Sequence, residues 1–499
     1  MKKISIFGIS AAALVFAGCA ATTATAQSGA KAGAVQSISA SDKQEGAKAH
    51  PQLMQEFGGA YTAGNQDDYV TRIGQNIAVQ SGLSNARSDF TVTLLNSPVN
   101  NAFAIPGGYV YVTRQLMGLM NDEAELAGVL GHEVGHVAAR HSKARQKAAT
   151  QNSIIGVLGT ILGGVIGGDG GGLGGLIGQG LQNYSMQFAQ MATLKFSRTQ
   201  ELQADDLGIN YLRSAGYDTD ALSSMLASLA NQTNLEARVA GQDARSLPEW
   251  ASTHPDPASR VTRALSQARK VGGTEGIRNR DQFLNALDGV MYDDDPRQGV
   301  VEGRTFRHPD LKLGFTIPTG FAMSNGTQAI SIGGNSGQAI FTMAQYNGDM
   351  QNYVDTAMRS VLGQTQAQFG ELQRTTVNGI PAYYRLARVS TQQGQVDLTV
   401  FAYEFARDRA YHFITKAQAG RSSVFNPMFQ SVRRLSDSEA AAIKPRKIDV
   451  VTVGAGDTVS SLSARMAYPD YKQERFLVLN GFKAGQALAR GQRVKIVRY

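Results

Sequence analysis

Cysteine and tryptophan are nearly missing from this chain, which has one of each in 499 residues. The lone Cys19 cannot close an internal disulfide, so the fold has to rest on its hydrophobic cores. Histidine is also scarce, at seven. Charge is low for the length: Asp, Glu, Lys and Arg make up 18% and the formal net charge is +8, with the basic residues dispersed. No basic helix or aromatic-basic alternation occurs, which argues against nucleic acid as a partner. A permanent membrane-spanning helix is missing too. The apolar run Ile4–Ala17 is too short, and Ser153–Leu181 holds thirteen glycines and Asp169 in its middle. At about 1 kcal/mol per glycine relative to alanine, that composition opposes a helix. It reads as a mobile glycine-rich loop near the functional site, touching membrane or substrate, with a membrane-dipping hairpin as the alternative.

What is present begins with an export signal: Met1-Lys2-Lys3, an apolar stretch, then Gly18-Cys19-Ala20. Val15-Phe16-Ala17-Gly18-Cys19 resembles a bacterial lipobox, in which residues 1–18 are removed and Cys19 carries the lipid. Ordinary cleavage near Ala26 is the alternative. Removing residues 1–18 takes Lys2 and Lys3 and lowers the net charge from +8 to +6. Residues 19–50, rich in Ala, Ser, Thr, Gly and Lys, read as a flexible tether. Apolar residues at helical spacing (Leu53, Phe57, Tyr61; Tyr69, Ile73, Ile77) then predict two helices, and Phe90–Leu95 and Tyr109–Thr113 predict strands.

The stretch with chemistry in it is His132-Glu133-Val134-Gly135-His136, inside an apolar run that starts at Glu123. Asn121 reads as the N-cap of this helix, with Asp122 and Glu123 in its first turn. Two histidines four apart share one helix face and can converge on one ion, and the intervening Glu133 projects beside them as a general base. Histidines inside so apolar a helix require partners. His141 lies about 180° round from His132 and faces away unless the helix ends before it. A second helix carries Glu201 and Asp205, also four apart. A carboxylate there could complete a metal site, with an Asp one turn on receiving a ligand imidazole's N–H, or the pair could be a solvated acidic face.

These motifs resemble a family. His132-Glu133-x-x-His136 and Glu201-x-x-x-Asp205, preceded by Asn101-Ala-Phe-Ala-x-Pro-Gly-Gly and followed by Ser252-Thr-His-Pro-x-x-x-x-Arg260, occur in the order seen in the zinc metallopeptidases that include HtpX and the CAAX prenyl endopeptidases. The chain looks most like the soluble, periplasmic BepA-like branch. The resemblance implies one Zn²⁺ per chain, bound by His132, His136 and Glu201, with Glu133 as base and Asp205 behind a ligand histidine. It gives His254, otherwise a loop histidine, a place at the fourth zinc position or beside the oxyanion, and sets Arg260 near the cleft with the same oxyanion role.

The predicted architecture is multidomain α+β. A mainly helical zincin-type metallopeptidase domain with a small β-sheet covers 51–270 and includes the loop 153–181; a helical connector follows at 271–303. An α+β domain of unknown role spans 304–436, a linker 437–448, and a small βααβ module 449–499 that resembles LysM, with Gly456-Asp457-Thr458 and Leu479-Asn480 in matching places. That module implies peptidoglycan as a partner or a structural role. The reading is a zinc endopeptidase of the bacterial cell envelope: a periplasmic, outer-membrane lipoprotein that hydrolyses misfolded or unassembled envelope and outer-membrane proteins through a zinc-activated water. The alternative is an envelope chaperone or peptidoglycan-associated binding protein whose zinc site is plugged by His254.

Overall fold

The computed structural model describes residues 37–142, 196–239, 254, 257–363, 365–391 and 394–499. The export signal with Cys19, most of the expected tether and the glycine-rich loop 153–181 lie outside the described residues. Among the described residues no helix is long and apolar enough to cross a membrane.

The peptidase region begins earlier than composition suggests. Helix α1, Ala40–Glu56, occupies the end of the expected tether and is capped by Ser39, whose side chain accepts from the Asp42 N–H at 3.2 Å. Its small residues hid it. Ala49 and Leu53 bury against Leu95, Phe103, Ile105 and Tyr111, and a side chain at Gly46 would strike the Pro106 carbonyl. Tertiary contact rather than an amphipathic repeat holds this helix.

Then follow α2 (Gln66–Val79), α3 (Ala86–Asp89), β1 (Thr91–Leu95), β2 (Ala102–Ile105), β3 (Tyr109–Thr113), α4 (Arg114–Leu119) and α5 (Glu123–Ala138). The strands form a three-stranded sheet ordered β1-β3-β2, parallel between β1 and β3 and antiparallel between β3 and β2, so β2 lies at an edge. Helices α6 (Arg198–Ser214), α7 (Ala221–Val239) and α8 (Pro257–Val271) complete the peptidase region, and α9 (Arg280–Leu287) lies in the connector.

Residues 304–436 hold most of the strands. A four-stranded sheet is ordered β16 (Arg433–Arg434), β7 (Leu313–Thr316), β6 (Thr305–His308), β5 (Val300–Glu302). An eight-stranded sheet is ordered β11 (Ala367–Phe369), β13 (Ile380–Thr391), β14 (Gly394–Ala406), β15 (Arg409–Gln418), β10 (Gly337–Met343), β9 (Ile330–Gly334), β8 (Phe321–Asn325), with β12 (Gln373–Val377) added to β13. Alternation along these strands separates two cores. Tyr411 and Phe413 face a cluster with Phe315, Phe341 and Phe429. Ala410 and Ile414 pack with Val354, Met358 and Val361 of α10 (Met350–Leu362).

The C-terminal segment has the expected order: β17 (Arg446–Thr452), α11 (Val459–Ala464), α12 (Lys472–Leu479) and β18 (Arg493–Arg498). It is not held apart by a linker. β17 pairs with β18 on one side and with β4, Met291–Tyr292 of the connector, on the other. Ile448, Leu462, Phe476, Val494 and Val497 belong to the same buried cluster as Leu116, Met120, Leu126 and Leu226 of the peptidase region.

Candidate metal centre

Helix α5 is apolar nearly all round because it is buried nearly all round: every residue from Glu123 to His136 is inside. Its N-cap is Asp122, not Asn121. The Asp122 carboxylate accepts from the Glu125 N–H at 3.0 Å, while Glu125 reaches back to accept from the Asn121 N–H at 2.8 Å. Helix α6 starts from a capping box between Ser197 and Gln200.

Glycine sets how close α5 and α6 come. A Cβ at Gly208 would lie 3.0 Å from the His132 backbone nitrogen, and one at Gly135 would lie 3.2 Å from the Ala204 carbonyl. With no side chains between them, the helices bring Glu201 to the histidine pair.

Four buried residues, His132, His136, Glu201 and His254, offer donor atoms that all lie within 4.8 Å of one another. His132 Nε2 is 3.0 Å from His136 Nε2 and 3.6 Å from Glu201 Oε2. His136 Nε2 is 3.6 Å from Glu201 Oε1. His254 Nδ1 lies 3.3 Å from His132 Nε2 and 3.1 Å from Glu201 Oε1. A tetrahedral zinc with arms of about 2.0–2.1 Å needs donor separations of about 3.3–3.4 Å. The spacings bracket that value, and two imidazoles, a carboxylate and a third imidazole are a zinc-type donor set. Glu133, fully buried, is 3.5 Å from His254 Nε2 through Oε1.

Behind the donors lies a second layer. His132 Nδ1 is 3.0 Å from Asp205 Oδ1, the partner a ligand imidazole needs to keep Nε2 free for a metal. Arg260, on α8, spreads its fork over both carboxylates: Nε donates to Asp205 at 2.9 Å, and its terminal nitrogens to Asp205 and to Glu201 at 2.5 Å each. Burial pushes the Asp205 carboxyl upward, but Arg260 and His132 outweigh it and hold the group well below its ordinary range. Glu201 is likewise held down against burial, by His254, His132 and Arg260. Arg260 is itself buried, and its guanidinium faces these carboxylates. The structure thereby places Arg260 against the acidic half of the site.

Two further side chains adjoin His136. Helix α5 ends at Ala138, Arg140 takes a left-handed conformation (φ 56°), and the chain turns back so that His141 approaches His136. Phe196 stacks on the His136 ring with centroids 3.6 Å apart. Arg140 carries no turn-forming side chain, and nothing in the spacing marks that reversal.

The buried HExxH helix, the glutamate from a second helix and the zinc-type donor set define a metallopeptidase class. Residues 65–268, about two fifths of the chain, match the model of Peptidase family M48. Similar curated proteins include the beta-barrel assembly-enhancing protease of Yersinia pestis, 31% identical over 206 residues, which cover 41% of this chain and 39% of that one. Its Escherichia coli (strain K12) counterpart is 27% identical over the same length. The mitochondrial metalloendopeptidase OMA1 of Schizosaccharomyces pombe is 28% identical over 222 residues, 44% of this chain and 59% of that one. The chain thus spans about two fifths of the length of the first two relatives.

Proposed function

We propose that the chain is a zinc-dependent endopeptidase of the bacterial cell envelope that cleaves misfolded or unassembled outer-membrane proteins. The observation that carries the reading is the buried donor set beside a buried Glu133 inside an M48 domain. The envelope setting and the substrate class draw on the likeness to beta-barrel assembly-enhancing proteases and on the signal-like, lipobox-like N-terminus with Cys19.

In this proposal His132, His136 and Glu201 hold one Zn²⁺, which when bound polarises the scissile carbonyl and eases deprotonation of water. Glu133 takes the proton from the attacking water and delivers it to the leaving amine. Asp205 keeps His132 in the tautomer that leaves Nε2 free, and Arg260 anchors Asp205 and Glu201 so that neither carboxylate turns away. The edge strand β2, next to α5, offers main-chain groups to an extended substrate. His254 stands within the donor set, so a fourth position for substrate opens only when this side chain leaves. That position favours a second reading, a resting or chaperone-like state with the site closed by His254.

Cleavage of casein and of the chain itself, by wild type, Glu133→Gln and His254→Ala with zinc or with chelator, separates the two. Activity lost in Glu133→Gln and with chelator, and raised in His254→Ala, is expected. Zinc-loaded wild type and His254→Ala both without activity would refute the protease and leave the closed, binding state.

A further inference from the structure

The two histidines of the HExxH helix are supported differently. An imidazole that offers Nε2 to a metal carries its proton on Nδ1, and that N–H needs an acceptor to fix the tautomer and the ring plane. For His132 the acceptor is the Asp205 carboxylate, 3.0 Å away. For His136 the group at Nδ1 is another imidazole, His141 Nδ1 at 2.8 Å. The far nitrogen of that ring, His141 Nε2, lies 3.1 Å from Gln203 Oε1.

This chain has one consistent polarity. An amide oxygen only accepts, so His141 Nε2 bears its proton and donates to Gln203. His141 Nδ1 is then a lone pair and accepts from His136 Nδ1–H, which leaves His136 Nε2 unprotonated toward His132 Nε2 and Glu201. Every ring involved is buried, His136 at 1% and His141 at 3% exposure, so water does not readily substitute for a missing partner. Gln203 stands two residues after Glu201 on α6. The helix that brings the acidic donor therefore also brings the group that sets the tautomer of the opposite histidine. The left-handed Arg140 is the turn that makes this possible, because a helix continued through residue 141 would carry the ring to the other side.

We propose that His141 and Gln203 are positioning residues for His136, a relay that fixes the ring and tautomer of this one ligand just as Asp205 does for the other. The inference rests on the metal reading of the donor set. It assigns a neutral relay to one histidine and a charged carboxylate to its neighbour, so the two ligands differ in basicity.

The test measures zinc affinity of the full purified chain by competition with a chromophoric chelator, for wild type, His141→Phe, Gln203→Leu and Gln203→Glu. His141→Phe and Gln203→Leu should each weaken zinc binding by about 10- to 100-fold. Gln203→Glu, whose carboxylate still accepts from His141 Nε2–H, should stay within about threefold of wild type. Nitrogen-15 NMR of the zinc-loaded wild type should show His141 protonated at Nε2, a readout that a space-filling role would not produce and that stands even if His141→Phe fails to fold. A wild type that binds zinc, with both His141→Phe and Gln203→Leu equally tight or with His141 protonated at Nδ1, overturns the relay alone. A wild type with no zinc affinity removes the metal reading itself, and the relay with it.

Discussion

Lys495 is a completely buried ammonium whose loss measures how firmly the C-terminal segment is joined to the peptidase region. Its Nζ donates to the carbonyls of Gly118, Leu119 and Met120 at 2.9, 3.3 and 2.5 Å, the end of α4. Three acceptors round one nitrogen call for three N–H groups, which only the charged form supplies. Burial drives its pKa well down, and Glu125 pulls the other way. Lys495→Met keeps the length and apolar body of the side chain and removes the donor. Hydrogen bonds to charged groups contribute about 1.5–3 kcal/mol each, they are not additive, and breaking a buried charged network costs about 3–5 kcal/mol. We take about 4 kcal/mol. At about 2–4 °C per kcal/mol this lowers the melting temperature by roughly 10 °C. Calorimetry should show the peptidase and C-terminal segments melting together in wild type and earlier in Lys495→Met. A variant within about 1 °C of wild type, or a wild type in which residues 446–499 melt separately, would refute the joint core.

Other outcomes follow from the same physics. Gly208→Val places side-chain carbon against the His132 backbone, where even a Cβ would lie 3.0 Å from nitrogen. It should cost about 1–3 kcal/mol by overpacking and lower zinc affinity by moving Glu201 away, measured by urea unfolding and by metal competition. Chelation should lower the melting temperature of zinc-loaded protein, by about 4 kcal/mol of linkage if free zinc stood near a thousandfold above its dissociation constant, and leave Glu133→Gln equally sensitive because Glu133 is no ligand. His412 is buried against Tyr353, and burial lowers its pKa from 6.5 to about 4. Its folded pKa lies below the unfolded one, so the unfolded state takes up the proton first and stability falls as pH drops from about 6.5 toward 4, by up to about 3 kcal/mol. His412→Phe should flatten that part of the stability-pH curve, and an unchanged slope would show that another group titrates there.

Much of the site was open to reading because local rules govern it. Helical spacing alone puts His132 and His136 on one face and Glu201 in line with Asp205, and the apolar run round the histidines says they are buried. Strands rich in β-branched and aromatic residues, such as Val396–Phe405, declare themselves by composition and lie within β14. Short or mixed strands such as β8 (Phe321–Asn325) and β12 (Gln373–Val377) did not, because pairing and not propensity makes them. The first part of α1, residues 40–50, reads as tether for the same reason: its Ala and Gly positions look featureless until Tyr109 and Pro106 pack on them.

By itself the sequence determined the elements whose residues carry periodic or motif information: the HExxH helix, a second helix with Glu201 and Asp205 on one face, and the βααβ order of the C-terminal segment. Only the tertiary structure decided what depends on chain reversal and long-range contact. His141 returns to His136 because one residue, Arg140, adopts positive φ. Arg260 faces Asp205 and Glu201 across 55 and 59 residues of chain. Lys495 closes α4 from more than 370 residues away, so the C-terminal segment shares the peptidase core. Periodicity reports the face of one element, whereas the partner of a buried charge is chosen by which elements meet, and the cost of leaving that charge unpaired is what holds them there.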